Sequence, residues 1–273
     1  MNFAKAEYVL SSGYSMPMFG LALSMGYRLI DTAAIYGNEK IIGQALKKLL
    51  PKYKLTRQDI FLISKVPPTH HGESAMESLT QSIRDLGCDY IDLYLIHWPG
   101  SFEYSASDKE NSNQRIKTWM VLTQAKNAGL IKSLGVSNYT VRHLKELFEN
   151  SYEVRPCVNQ IEWHPHWHQD EMYNYCNDNG ILIQAYYSLG GVESTALMSE
   201  PAVLNVANMM NKTPSQVLLV WALQKNIAVI PRSTNQRHLK ENCQLNFVIP
   251  PEQMISLSHL PQQKYGSNPD VVA

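Results

Sequence analysis

The chain has 273 residues, 44% of them hydrophobic, and its 24 Lys plus Arg are balanced by 24 Asp plus Glu. That length suits one barrel-sized domain, residues 1–273, with a large core rather than two domains. Zero net charge without a basic stripe argues against a nucleic-acid partner, and no apolar run approaches the ~18 residues of a membrane span. Tyr8 to Pro17 reads as a small hairpin turning at Ser12-Gly13. Met18-Phe-Gly-Leu-Ala22 is a short apolar strand, and Tyr27-Arg-Leu-Ile30 is a second one ending on Asp31. Tyr36 stands five residues further on, before the turn signal Gly37-Asn38. Glu39 then opens a helix with Ile41, Ile42, Ala45, Leu46 and Leu49 on one face.

Strands and helices alternate from there. Asp59 to Val66 is a strand ending near Lys65, Gly72 to Leu86 an amphipathic helix, and Tyr90 to His97 a strand ending on a histidine. Ser101 to Asn113 is polar and without period, so a long loop is expected before a helix at Arg115 to Ala128. Ile131 to Asn138 is the next strand, and Thr140 caps a helix through Phe148. Pro156 to Trp163 is a strand, Gln169 to Asn179 a helix, and Ile181 to Tyr186 a strand. Thr213-Pro-Ser-Gln216 is a capping-box start for an apolar helix. Ile227 to Arg232 is the last strand, and Thr234 or Asn235 starts the final barrel helix.

Three successive strands thus deliver Asp31 with Tyr36, then Lys65, then His97, each at a carboxyl end. In a barrel of parallel strands that end carries the chemistry. A tyrosine's ordinary pKa near ~10 makes it a reluctant proton donor, and a nearby cation lowers that pKa. Lys65 is placed to supply the cation, Asp31 to pair with Lys65, and His97 to offer a hydrogen bond beside the phenol.

The stretches "RLIDTAAIYGNE", "FLISKV", "DLYLIHWPG", "GVSNY", "NQIEWHP" and "IPRSTN" resemble the aldo-keto reductase family in order and spacing, over almost the whole chain. The carboxyl tail is similar to the short-tailed branch of diketogluconate reductases, glyoxal reductases and prostaglandin F synthase. The resemblance implies an α/β fold, a (β/α)8 TIM barrel, and NADPH-dependent reduction of small aldehydes or ketones with Tyr36 as acid. The hairpin would plug the bottom of the barrel. Trp98 would form a wall of the substrate pocket beside His97. The absence of a Gly-x-Gly-x-x-Gly fingerprint fits a cofactor lying extended across the barrel mouth.

For that cofactor, Ser137, Asn138 and Gln160 resemble nicotinamide-amide ligands, and Tyr186 the aromatic that stacks on the ring. The family's Tyr-Ser-Pro-Leu is Tyr186-Tyr187-Ser188-Leu189 here, which alters the pyrophosphate contacts expected at Ser188 and Leu189. Arg232, Ser233, Thr234 and Asn235 precede a helix, where backbone N–H groups favour phosphate. Arg232 stands in place of the family's common lysine and is expected on the 2′-phosphate, with His238 in place of an arginine. Glu241 and Asn242 match adenine-side residues.

His164, His166 and His168 alternate, but Pro165 breaks a strand and no further ligand completes a zinc set, so no metal is expected. Cys88, Cys157, Cys176 and Cys243 are scattered, and Met-Asn-Phe-Ala-Lys-Ala-Glu lacks an apolar signal core, so reduced thiols in the cytoplasm and a monomer are expected. Two rivals are a nucleotide-binding barrel without turnover and a hydrolase using Asp31 and Glu162. One feature departs from the family. Only Leu23-Ser-Met-Gly26 separates the first two strands, whereas neighbouring parallel strands need a crossover of at least ~10–12 residues. The first βα unit is therefore truncated, with a distorted first strand, no proper first helix, bared apolar faces and impaired activity as the expected consequences.

Overall fold

The computed structural model describes residues 7–17, 26–150, 154–191 and 194–273. The expected first barrel strand, Met18 to Ala22, and Leu23, Ser24 and Met25 after it lie outside these residues. Strands β1 (Glu7–Val9) and β2 (Ser15–Pro17) pair antiparallel as the hairpin, with Tyr8 opposite Met16. The turn closes through Gly13 at φ +86°, a left-handed conformation that only glycine adopts cheaply, and its N–H donates to Leu10 O at 2.8 Å. Leu10 and Met16 are buried in the core, and the Ser12 and Ser133 hydroxyls meet at 2.8 Å, tying the hairpin to the sheet.

The βα repeat then runs β3 (Leu29–Asp31), α1 (Glu39–Lys52), β4 (Phe61–Val66), α2 (Ala75–Leu86), β5 (Ile91–Ile96) and α3 (Glu110–Asn127). It continues with β6 (Ile131–Ser137), α4 (Val141–Asn150), β7 (Val158–Glu162), α5 (Asp170–Asp178) and β8 (Leu182–Tyr186). Helices α6 (Ser194–Met198), α7 (Pro201–Met210) and α8 (Pro214–Gln224) lead to β9 (Ala228–Val229), α9 (Gln236–Asn242) and α10 (Pro251–Ser258). Residues of β4 and β7 are buried throughout, as strands covered on both faces must be.

Strands β3 to β9 form one parallel sheet in chain order. The sheet is curled. Strands lie ~4.8 Å apart, so a flat sheet would separate β3 from β7 by roughly 19 Å. Instead Gln160 Nε2 on β7 donates to Asp31 Oδ2 on β3 at 2.7 Å. Among the described residues the end strands β3 and β9 each pair with a single neighbour, β4 and β8. Tyr27, just ahead of β3, donates its hydroxyl to Leu239 O in α9 at 3.0 Å and so ties the two ends together. Seven curled parallel strands with helices between them are the architecture of a (β/α)8 barrel, and the expected truncation of the first βα unit falls outside the described residues.

Helix α3 and strand β9 differ most from their expected bounds. Helix α3 starts at Glu110 rather than Arg115, because Asp108 Oδ1 accepts from Glu110 N and Asn111 Nδ2 donates to Ser105 O and Asp108 O, so the polar residues build a first turn. β9 has two residues rather than six, since Pro231 has no N–H to offer a ladder. Helices α6, α7 and α10 escaped the sequence reading, although Val203, Val206, Ala207 and Met210 of α7 recur at helical spacing against the core. The Thr213 start is as expected. Thr213 Oγ1 accepts from Gln216 N and Gln216 Oε1 accepts from Thr213 N. Thr213→Ala is expected to cost ~1 kcal/mol and to lower the melting temperature by roughly 2–4 °C in a thermal melt.

Candidate active site

The loop from β3 to α1 sets Tyr36. A turn over Ala34–Tyr36 closes with Tyr36 N on Ala33 O at 3.0 Å, and Gly37 follows at φ +64°. Thr32 Oγ1 donates to Asn38 Oδ1 at 2.6 Å and staples the loop at its ends. Glu39, buried at the start of α1, accepts from Ser64 Oγ at 2.6 Å and Ser82 Oγ at 3.0 Å, fixing the loop against β4. The sequence reading missed Glu39. The polar Ser64 within an otherwise apolar strand was its only signal.

Lys65 is 0% exposed. Its Nζ donates to Asp31 Oδ1 at 2.7 Å and to Thr32 O at 2.8 Å. The expected Asp31–Lys65 pair is therefore present, and Lys65 Nζ lies 5.3 Å from the centroid of the Tyr36 ring. Burial pulls the Lys65 pKa below its ordinary value, opposed by Asp31 and then Glu39. His97 directly follows β5. The Tyr36 hydroxyl and His97 Nε2 are 3.5 Å apart, with the rings edge-on at 5.5 Å.

One electrostatic expectation is corrected. Lys65 was expected to lower the Tyr36 pKa, yet that pKa is raised, first by desolvation of the hydroxyl among its neighbours, although the residue as a whole is 52% exposed, then by Asp31 and Tyr187. The physical reason is that the lysine's hydrogen bonds go to Asp31 and Thr32, so its charge reaches the phenol paired with an opposite one. His97 is pushed down to about 3 by burial and by Lys65. At neutral pH the site holds a protonated phenol and a neutral imidazole. His97 Nδ1 is buried without a hydrogen-bond partner among the described residues. Trp98 is partly exposed beside it.

The neighbouring strand ends gather a second set. Ser137 and Gln160 are register partners, as are Gln160 and Gln184. Ser137 Oγ donates to Gln160 O at 2.8 Å. Asn138 sits at φ +62°, where its Nδ2 donates to His97 O at 3.0 Å and its Oδ1 accepts from the Tyr186 hydroxyl at 2.6 Å. Gln160 Nε2 donates to both Asp31 Oδ2 and Gln184 Oε1, each at 2.7 Å. So Ser137, Asn138, Gln160 and Tyr186 form one network that reaches Asp31 and His97. Gln184, fully buried, was not read from the sequence, although a polar side chain two residues before Tyr186 in an apolar strand is a signal.

The remaining candidates lie further round the mouth. Ser188 Oγ donates to Ala185 O at 3.0 Å, and Leu189 packs on the core. Arg232, Thr234 and His238 are exposed and Ser233 partly so. Asn235 is the helix start, and its Oδ1 accepts from Arg237 N and His238 N, so the first N–H groups of α9 are already engaged by the chain. Glu241 Oε1 pairs with Arg237 at 3.5 Å, and Asn242 is buried with its Oδ1 unpartnered among the described residues. The three alternating histidines diverge. His164 Nε2 meets Glu162 at 3.1 Å, His166 Nδ1 meets the Tyr265 hydroxyl at 2.5 Å, and His168 sits edge-on to Trp221 at 5.5 Å.

With the barrel and this constellation in place, the family is decided by sequence. Residues 1–260 match the model of the aldo/keto reductase family. The chain belongs to that family. It is 34% identical to the uncharacterized oxidoreductase YtbE of Bacillus subtilis, covering 97% of each chain, and 33% identical to glycerol 2-dehydrogenase (NADP(+)) of Saccharomyces cerevisiae, covering 93% and 90%. The solved structure of MGS-M4, an aldo-keto reductase from a Medee basin deep-sea metagenome library, superposes with a TM-score of 0.89 at 32% identity, over 98% of this chain and 100% of that one. The YtbE alignment runs over 286 positions although this aldo/keto reductase has 273 residues, so the relative carries residues that this chain lacks. As a family member the chain is an oxidoreductase, and among the described residues no helix is long and apolar enough to cross a membrane.

Proposed function

We propose that this oxidoreductase reduces small aldehydes or ketones to alcohols with NADPH, and that Tyr36 is the proton donor. The observation that carries the reading is the Tyr36 hydroxyl beside His97 Nε2, over the buried Lys65–Asp31 pair. The phenol keeps its proton at neutral pH and has it available for a carbonyl oxygen. Neutral His97 offers Nε2 as a hydrogen-bonding partner that holds that oxygen in place. Asp31 and Thr32 keep the lysine from moving, and Gln160 fixes the other carboxyl oxygen of Asp31. Trp98 stands next in sequence to His97 as a wall for the substrate. NADPH, when bound, supplies the hydride to the carbonyl carbon.

The residues present fit that cofactor. Asn242 Oδ1 is a buried acceptor without a partner among the described residues, suited to an adenine amino group. Arg232 is exposed and makes no ion pair within the described residues, suited to a 2′-phosphate. Glu241 flanks Asn242 in α9, with His238 in the same helix and Ser233 and Thr234 in the loop ahead of it. Ser137, Asn138, Gln160 and Tyr186 would meet the nicotinamide end, with Ser188 and Leu189 beside them. The NADP(+) in the name of the yeast glycerol 2-dehydrogenase supports NADP as well. The test is loss of NADPH absorbance on adding an aldehyde. No oxidation with any small aldehyde or ketone overturns the reading. A charged hydrogen bond contributes roughly 1.5–3 kcal/mol, and ~1.4 kcal/mol is tenfold in affinity. Arg232→Ala is therefore expected to weaken NADPH about tenfold or more in a fluorescence titration and to leave NADH alone. Equal weakening of both would refute the phosphate role.

A second reading, nucleotide binding with impaired turnover, is favoured by the link of only four residues, Leu23 to Gly26, between the two expected first strands. Retained NADPH affinity without aldehyde reduction would select it.

A further inference from the structure

The segment Glu162-Trp-His-Pro-His-Trp-His168 takes no part in the reading above, yet its side chains and backbone bond repeatedly to the tail at 262–266. Glu162 ends β7 and is 2% exposed, with both oxygens engaged. Its Oε1 accepts from Tyr265 N at 2.6 Å and meets His164 Nε2 at 3.1 Å, and its Oε2 accepts from Lys264 Nζ at 2.7 Å and Gly266 N at 2.9 Å. Burial alone would raise its pKa, but the hydrogen bonds from His164, Lys264 and the Tyr265 N–H outweigh it and hold the carboxyl at about 2. The loop beyond Glu162 grips the same tail. His164 stacks on the Tyr265 ring at 4.8 Å, His166 O accepts from Gln263 N, and His168 N donates to Gln262 Oε1 at 2.8 Å. Lys264 also lies 5.3 Å over the Trp167 ring.

That grip places the tail against the site. A Cβ on Gly266 would lie 2.8 Å from Glu162 Oε2 and 3.6 Å from the Tyr187 ring, so only glycine fits between them. Tyr187 adjoins Tyr186, whose hydroxyl bonds Asn138. Lys264, Asn268 and Asp270 line a small cavity together with Asn138 and Ile161.

We propose that Glu162 and the histidine-bearing loop after it form a cradle that locks residues 262–266 as a fixed wall of the active site, making Glu162 a positioning residue that sets which carbonyl substrates fit. The choice of substrates rests on the carbonyl-reductase reading, whereas the lock does not. A carboxylate suits the task because it accepts from four donors at once. Glu162→Gln keeps the volume but turns one acceptor into a donor facing donors. Gly266→Ala attacks the same contact from the tail side and leaves the buried carboxylate in place.

Hydrogen exchange read at the Tyr265 and Gly266 amides in the full chain tests the lock. Both variants are expected to exchange there roughly tenfold faster or more than the wild type, with strands β4 to β7 still protected. The ratio of KM for a bulky aromatic aldehyde to KM for a three-carbon aldehyde is expected to fall about fivefold or more, since pocket contacts discriminate on this scale. Unchanged exchange in folded Gly266→Ala overturns the lock, whether or not Glu162→Gln folds. Faster exchange with an unchanged KM ratio overturns the role in substrate choice. If the wild-type chain reduces no carbonyl, the reductase reading falls, and the exchange result still decides the lock.

Discussion

Tyr36→Phe is expected to lower kcat for aldehyde reduction by ~10²–10⁴, the range a positioned proton donor contributes, while NADPH affinity stays nearly unchanged. The substitution removes one hydroxyl and keeps the ring. The ring's edge contact with His97 and its place over Lys65 survive, so the Lys65–Asp31 pair keeps its surroundings. What disappears is the O–H 3.5 Å from His97 Nε2. The acid–base assignment carries a sign that pH tests. The Tyr36 pKa is raised, so the phenol stays protonated well above neutral pH, and the imidazole, at about 3, is neutral well below it. Neither group changes protonation near neutrality, so kcat of the wild type is expected to be flat across that range. A steep step in kcat near pH 7, or wild-type turnover by Tyr36→Phe, would remove Tyr36 from the role.

How much of this was legible in the sequence depends on where each interaction lives. Asp31, Lys65 and His97 sit at the ends of apolar runs, and strand order alone puts successive ends side by side. The pairing of Asp31 with Lys65 was readable for that reason. The tuning of Tyr36 was not. It turns on which acceptor the lysine's hydrogens choose, and Thr32 O is a backbone atom with no mark in the sequence. Gln160 was read as facing a cofactor, but it also reaches across the barrel to Asp31, a contact that only the curl of the sheet creates. The histidines at 164, 166 and 168 looked like a metal pattern because spacing is visible and direction is not. Their partner, the tail at 262–266, lies about a hundred residues away, and no local pattern announces it. Helix α9 starts at Asn235, one of the two starts that the sequence offered, and Asn235 engages the Arg237 and His238 N–H groups with its own side chain.

The chain's shortened first unit should be measurable as a defect that insertion repairs. Four residues, Leu23 to Gly26, separate the expected first strand from Tyr27, and they are too few to carry a chain from the top of a barrel back to its bottom. Residues present in YtbE and absent here agree with a missing piece. In the structure β3 and β9 have one partner each among the described residues, and the Tyr27–Leu239 hydrogen bond links the two ends. A restored βα segment of ~20 residues, a length set by usual helix and loop sizes, would supply the crossover that the four-residue link cannot. Each kcal/mol gained shifts melting by roughly 2–4 °C in a domain of this size, so a rise of roughly 5 °C or more is expected. Because the restored unit would run straight into β3, which ends on Asp31 and leads to Tyr36, aldehyde turnover should rise with it, and so should NADPH affinity. The comparison needs only two chains, one melting curve each and one absorbance assay. Equal melting temperatures and equal turnover would show that the four-residue link closes the barrel as well as a full unit does.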